Sequence, residues 1–412
     1  MKPNFLIANA PWLGAGLVMT LASSFGQTFF ISVFAGEIRQ EYGLSHGAWG
    51  EAYTIGTLAS AALMMRAGAI ADRMRVRALG ALTLLGLAGF CFGMSALPGA
   101  WALPILIFGL RFCGQGMLTQ VPAVAVGRWF RANRGRAIAI VFLGVSVGQA
   151  LFPFLFVLLM AASDWRTAWA VAALTPLLAA PALLVLLRRE RTPQSHAEAN
   201  EAAGLFGRHW TRPEALKHWL FWTTFPGFLA QPIFSTALAF QQVHLTAIKG
   251  WSHAGFAALF SVMTAANIAG LLATGWAIDR FGAVRIVPVM LAPAALGYGL
   301  IGAAGDLTLA GVGMALVGFS TGAVSAVHGA YWPEIYGTRH LGAIRALATS
   351  VMVFATALGP GATGYLIDAG VDFGDQLIGM AALAVVASLS LAFAMARVTP
   401  LLARRPAGDD DA

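Results

Sequence analysis

Long apolar runs, each near twenty positions and each closed off by charge or by glycine and proline, recur along this chain. They fall at 12–34, 48–67, 77–96, 101–126, 136–160 and 167–187 and then, after a polar stretch, at 218–242, 254–277, 284–303, 307–331, 342–366 and 375–397. About twenty apolar residues wound as α-helix rise roughly 30 Å, the thickness of the hydrocarbon layer of a bilayer. The pattern predicts an all-α membrane protein with twelve transmembrane helices, six on either side of one hydrophilic segment.

That segment, RRERTPQSHAEANEAAGLFGRHWTRPEALK, reads as a linker between halves, with PEALKHW as a short interfacial helix inside it. The expected organisation is a six-helix bundle over 1–189, a cytoplasmic linker over 190–217, a second six-helix bundle over 218–398 and a cytoplasmic tail over 399–412. Only Lys2 precedes the first apolar run and no small-residue cleavage site follows it, so the run is read as an uncleaved first helix.

Composition agrees with the pattern. Hydrophobic residues make up 58% of the chain and charged residues 11%, with a mean hydropathy of +0.73, which excludes an ordinary water-soluble domain at roughly 25% charged. A net charge of +8 would suit nucleic acid, but the arginines sit in short loops between spans. Arg73, Arg75, Arg77, Arg128, Arg131, Arg134, Arg136, Arg188, Arg189, Arg280, Arg285, Arg339 and Arg345 all fall on the side of the N-terminus, and only Arg39, Arg166 and Lys249 fall opposite. Basic residues in short loops stay cytoplasmic, so both termini are expected inside, most simply in a cell inner membrane, with the bilayer as partner and no nucleic acid.

Cys91 and Cys113 lie inside apolar runs with no ligand spacing, so no metal and no disulfide is expected. There is no GxxxxGK[ST] loop for ATP and no convergent catalytic set of paired carboxylates, His/Glu cluster or activated serine. The expectation is no cofactor and no enzyme activity.

One charged loop recurs. GAIADRMRVR at 68–77 follows the second span of the first half, and GWAIDRFGAVR at 275–285 follows the second span of the second half. Both place Gly, three residues, then Asp-Arg and a further Arg. Motif, spacing and topological position together point to an internal repeat. On these residues the chain resembles the major facilitator superfamily, whose loop between the second and third helices has the form G-x-x-x-D-R-x-G-R-[KR]. Gly68, Asp72, Arg73 and Arg77 match the first copy, although Met74 and Arg75 stand where the pattern runs into its second Gly. Gly275, Asp279, Arg280, Gly282 and Arg285 match the second. The resemblance implies two pseudo-symmetric bundles and a secondary transporter working by alternating access. It also implies that this loop is a conformational latch. The physical expectation is that each Gly lets a neighbouring helix come close and that the Asp, a turn further on, meets a helix N-terminus or an Arg. The segment RWFRANRGRA at 128–137 resembles the loop and start of the fifth helix in many members of that superfamily, and GTRHLGAIR at 337–345 is similar to the monocarboxylate and oxalate/formate exchanger branch. That branch, however, carries an Asp and an Arg four apart in the eighth helix, where Asn267 and Leu271 stand here.

An ionisable group in mid-membrane costs several kcal/mol on insertion scales and is a functional candidate by default. Arg111, in WALPILIFGLRFCGQGMLTQ, is the one such cation, and no Asp or Glu lies at the centre of any predicted span. Glu51, backbone carbonyls or an anionic substrate are its candidate partners, and a guanidinium suits a carboxylate through two parallel hydrogen bonds. Gln115, Thr119, Gln27, Thr28, Tyr53, Gln149, Gln231, Asn267, Ser320 and Ser325 lie at similar depth and would line a cavity if they faced inward. Gln231-Pro232 is the expected helix break beside the site. His328 and Glu51 are the candidates for proton coupling.

Two readings of function stay open from sequence: carriage of a small organic anion such as a monocarboxylate, with or without protons, and export of amphipathic drugs through a cavity rich in Phe, Met and Trp. A monomer is expected in either case. A third class, a sensor that binds without transporting, shares every feature above.

Overall fold

The computed structural model describes residues 5–67, 74–130, 134–189, 204–337 and 340–402. Helix covers all twelve apolar runs. Its segments are α1 (Phe5–Ala22), α2 (Thr28–Ile31), α3 (Ala35–Tyr42), α4 (His46–Ala67), α5 (Val76–Ser95), α6 (Leu103–Leu110), α7 (Leu118–Trp129), α8 (Arg134–Ala162) and α9 (Trp165–Leu186). They continue as α10 (Arg212–Lys217), α11 (Trp219–Phe240), α12 (Gln242–Lys249), α13 (His253–Phe281), α14 (Ala283–Ile286), α15 (Ala292–Ala303), α16 (Leu307–Tyr336), α17 (Leu341–Asp368) and α18 (Phe373–Leu402).

Helix is what hydrocarbon demands, because no water is present to satisfy backbone groups left unpaired. Among the described residues ten helical stretches are long and apolar enough to cross a membrane. The other two long helices, α4 and α11, each run 22 residues. Their apolar content is diluted by His46, Glu51 and several small residues in α4, and by Gln231, two prolines and three threonines in α11. Large apolar side chains such as Leu82, Phe92, Leu178, Leu272 and Leu389 are exposed; on a membrane helix these are the lipid-facing positions. The short helix expected in the linker is present as α10, opened by a capping box in which Thr211 and Glu214 bond reciprocally.

The chain divides into two compact units. The first contains 1–197 together with 239–261 and 357–371; the second contains 198–238, 262–356 and 372–412. In the first, α5 packs along α9, α1 along α8, and α4 along α6. In the second, α15 packs against α16 and α18, over a core that runs from Leu205 and Trp210 through Phe221, Tyr331, Trp332 and Tyr336 to Leu391 and Val398.

The repeat seen in the charged loops extends to the turns at the other end. Gly43 ends α3 and Gly250 ends α12, both left-handed at φ 61° and 66°, and three residues later His46 and His253 start α4 and α13. Gly250 follows Gly43 at the same interval as Gly275 follows Gly68. A left-handed residue ending a helix is the role glycine fills without steric cost.

Candidate functional site

The first apolar run is not one helix. α1 ends at Ala22, Ser23–Gly26 tighten into a 3-10 turn, Gln27 is extended (φ −87°, ψ 153°), and α2 begins at Thr28. Small polar residues help to make this break. Ser23 Oγ donates to Thr20 O at 2.6 Å, and Thr20 Oγ1 donates to Val141 O on α8 at 2.5 Å, bonds that compete with the helical ladder. Facing the break, the fourth run is also irregular. Between α6 and α7, residues Arg111–Met117 wind as a π-helix, a rare form that recurs at functional sites.

The two irregularities touch backbone to backbone. A Cβ added at Gly26 would lie 2.7 Å from Gly114 Cα, and one added at Gly114 would lie 2.6 Å from Gly26 Cα. Glycine at both positions is what lets the main chains meet.

Arg111 begins the π-helical segment and turns its side chain onto the break. Its Nη1 donates to Gly26 O at 3.2 Å, the carbonyl whose helical partner is lost where Gln27 extends, and to Thr28 Oγ1 at 3.3 Å. Thr28 Oγ1 and Tyr53 OH share a hydrogen bond of 2.6 Å, and the guanidinium carbon sits 5.4 Å from the Tyr53 ring centre. The residue is 2% exposed, and its Nε is buried without an acceptor. Among the described residues no carboxylate pairs with it. Tyr53 in turn packs on Phe240, centroids 4.8 Å apart, and Trp49 stacks on Phe240 at 5.8 Å.

Beyond the break, Gln242 of α12 clamps the continuing chain. Its Nε2 donates to Ser32 Oγ at 2.8 Å, to Ala239 O at 3.1 Å and to Phe29 O at 3.3 Å, while Ser32 Oγ donates to Ala239 O and Thr28 O. A rigid setting for Arg111 results, with one net positive charge held by neutral acceptors.

Of the residues named from sequence, Arg111, Thr28 and Tyr53 form one network. Gln27 lies at the break, Gln115 inside the π-helical segment, and Thr119 one turn on, its hydroxyl donating to the Gln115 carbonyl at 2.5 Å. Gln149 is half-buried on α8. Glu51 is not the partner of Arg111: it is exposed on α4 and accepts from Tyr365 OH at 2.8 Å.

The second unit holds Gln231, Asn267 and Ser320. Gln231 Nε2 donates to Thr321 Oγ1 at 2.8 Å and to Val317 O at 3.2 Å, its Oε1 receives Tyr298 OH, and Ser320 Oγ donates to Met290 O at 2.6 Å. These bonds tie α11, α15 and α16 together. Asn267 is half-buried on α13, and Ser325 is exposed, its hydroxyl donating to Thr321 O. His328 is half-buried against Phe228 and Trp332.

The expected break at Gln231-Pro232 is absent, since α11 runs unbroken from Trp219 to Phe240. Proline removes one backbone donor, and neighbouring turns carry the helix past it.

Gly68, Asp72 and Arg73 lie outside the described residues; Arg77 is exposed on the first turn of α5. In the second copy Asp279 and Arg280 are exposed at the end of α13, and Gly282 turns the chain at φ 81°. Glu334 of α16 accepts from the Ala283 N–H at 3.0 Å, at the start of α14. A Cβ at Gly275 would meet nothing within 4 Å, so the close helix approach expected there does not occur. Sequence reasoning passed over Ser32, Gln242, Tyr298 and Thr321. Gln242 carried a signal, being a glutamine paired with Gln241 at the edge of an apolar run.

Residues 16–248, more than half of the chain, match the family described as the Major Facilitator Superfamily. An uncharacterized 38 kDa protein in the 23S RNA operon of Thermoproteus tenax is 27% identical over 395 residues, covering 94% of this chain and 97% of that protein. A bacterial homolog of the human lysosomal transporter Spinster, in an inward-facing and unoccupied conformation, superposes with a TM-score of 0.70 at 17% identity, covering 98% of each chain. A POT family transporter in complex with 5-aminolevulinic acid superposes with a TM-score of 0.69 at 13% identity, covering 94% of this chain and 96% of that one. At these identities the two solved structures speak for the fold.

Proposed function

The chain belongs to the Major Facilitator Superfamily, and from that premise we propose that it is a secondary transporter that carries a small organic anion by alternating access, with Arg111 as the counter-charge of the substrate. The observation that supports this reading is the guanidinium at the break, 2% exposed and bonded through Nη1 to a carbonyl and a hydroxyl only. Neutral acceptors satisfy donors but do not cancel charge, and a buried ion without an opposite charge is strongly disfavoured. The unclaimed Nε, beside Nη2, offers the side-on edge of the fork that pairs with a carboxylate. Access to that edge requires Tyr53, the ring beside the guanidinium, to move during the cycle.

Within this proposal both termini are cytoplasmic, as the arginine distribution argues. His328 and Glu51 remain the candidates for carrying a proton beside the substrate, and the loop bearing Gly68, Asp72, Arg73 and Arg77 serves as conformational latch with its echo at Gly275, Asp279 and Arg280.

The test is a thermal-shift screen of purified protein against small mono- and dicarboxylates and against amphipathic drugs, followed by flux of each hit into proteoliposomes. A carboxylate at about 100 times its Kd should stabilise the wild type by about 2.7 kcal/mol. Arg111→Lys keeps the charge but loses the planar fork, so its affinity should fall at least about tenfold. If drugs shift the protein and carboxylates do not, the exporter reading replaces this one; equal carboxylate shifts in Arg111→Lys remove Arg111 from the site.

A further inference from the structure

The first turn of α4 and the end of α17 meet within the first unit, on the face that carries the 42–46 turn, and they meet through backbone and small side chains. A Cβ at Gly50 would lie 2.6 Å from Pro360 O, and one at Gly364 would lie 2.8 Å from the His46 carbonyl carbon. Thr54 Oγ1 donates to Ala357 O at 2.8 Å. At the tip of the contact, the Asp368 carboxylate accepts from two backbone N–H groups at the start of α4, His46 at 3.0 Å and Gly47 at 2.7 Å. A carboxylate from one helix thus caps the positive N-terminal end of another.

Around this clasp the His46 imidazole lies edge-to-face on His244 of α12, centroids 4.4 Å apart. Every packed element adds a group. α3 contributes Arg39, close enough to act on both His46 and Asp368; the 42–46 turn contributes Ser45, which also bonds Asp368. Gln241, before α12, bonds both His46 and Thr363. α17 contributes Tyr365, whose hydroxyl donates to Glu51 of α4. The contact contains few large apolar side chains, so parting it exposes little greasy surface; the charged and hydrogen-bonding groups decide whether it holds.

We propose that this contact is an acid-released latch: Asp368 clasps α17 to the start of α4 at neutral pH, and protonation of the His46–His244 pair opens it. Two imidazoles in ring contact beside a guanidinium cannot both take up protons without repelling each other and Arg39, while Asp368 and the hydrogen bond with Gln241 pull the other way. His46, which lies ahead of the apolar run at 48–67, is pushed down to about 4 by burial first, then by Arg39 and His244. A base lowered in the closed form favours closure above its ordinary value near 6.5, and that advantage is lost as pH falls from there toward about 4. At pH 5 the closed-to-open ratio should drop roughly ten- to thirtyfold. On the orientation expected from the arginines this face looks outward, so acidity outside would release it.

The test uses the full chain in nanodiscs with Cys91→Ala and Cys113→Ala, spin-labelled at Gln40→Cys on α3 and Ala369→Cys just beyond α17, both exposed positions. At pH 7.5 one narrow distance distribution is expected, and at pH 5 a second population at longer distance. Asp368→Asn, nearly isosteric, should show the longer population at both pH values. His46→Gln with His244→Gln should hold the short distance at both. An unchanged narrow distribution in Asp368→Asn overturns the clasp, and a pH response that survives in the double histidine variant overturns the trigger. Neither readout involves a transported solute, so a failure here is separate from a failure of the anion reading.

Discussion

Gly26→Ala puts the break-and-bulge geometry to a quantitative test. The new methyl group would sit 2.7 Å from Gly114 Cα and 3.0 Å from Gln115 N, and closer still to the Leu110 carbonyl oxygen. All three neighbours are main chain, so no side chain can swing aside. Restoring ordinary contact of about 3.4 Å at Gly114 moves the two segments at least about 0.7 Å apart, and the Leu110 carbonyl demands more, a gap that forfeits a quarter to a half of the dispersion energy along the crossing. The same displacement lengthens the Arg111 Nη1 to Gly26 O bond from 3.2 Å to about 3.9 Å, outside hydrogen-bond range. A buried charged donor and a buried carbonyl then lose each other, at about 1–3 kcal/mol, on top of about 1–3 kcal/mol for overpacking. The expected sum is about 2–6 kcal/mol of destabilisation.

Gly89→Ala is the internal control, since its Cβ meets nothing within 4 Å on the same unit, and alanine in a helix interior is worth roughly 0.5–1 kcal/mol more than glycine. Thermal unfolding of both variants in one detergent should move their midpoints in opposite directions. If Gly26→Ala unfolds within about 0.5 kcal/mol of the wild type, the main-chain contact is not what holds Arg111 in place.

Further substitutions separate packing from transport. Thr28→Val removes the oxygen between Arg111 and Tyr53 and should cost about 1–3 kcal/mol of stability in a melting experiment, because it strands two buried polar groups. Gln231→Leu frees Thr321, Tyr298 and the Val317 carbonyl of a shared partner. It should destabilise by about 1–3 kcal/mol with substrate affinity unchanged in the thermal-shift assay; lost affinity at full stability would instead make Gln231 a ligand contact. Asp72→Asn should leave ligand affinity nearly intact and slow proteoliposome flux, and unchanged flux would reduce its loop to an orientation signal.

The helices were legible because hydrocarbon imposes one rule on every span, and a run of twenty apolar residues is that rule written out. The positions of the irregularities were not. Pro232 advertised a break and α11 passes straight through it, because one missing donor is a local loss. The true break at Gln27 has no proline. It forms where Ser23 and Gly26 weaken the ladder and a guanidinium from another span takes the released carbonyl, a tertiary event. The π-helical turn at 111–117 adds one residue to a helix without altering its apolar character, so no periodicity reveals it. Arg111 itself was visible as a charge out of place, whereas nothing in the pattern marks Asp368, which lies just past the apolar run at 342–366. Its task at the start of α4 depends on a fold that brings together residues more than three hundred positions apart.

The lone guanidinium at the break also sets an electrical property. With neutral ligands only, the empty site carries one positive charge, and on the proposed function it carries none once a monocarboxylate is seated. A membrane potential therefore acts on the empty carrier and spares the loaded one, by up to about 2.3 kcal/mol per 100 mV if the charge crosses the whole field. Voltage should set the pace of the return step, and with it how quickly each turnover can follow the last.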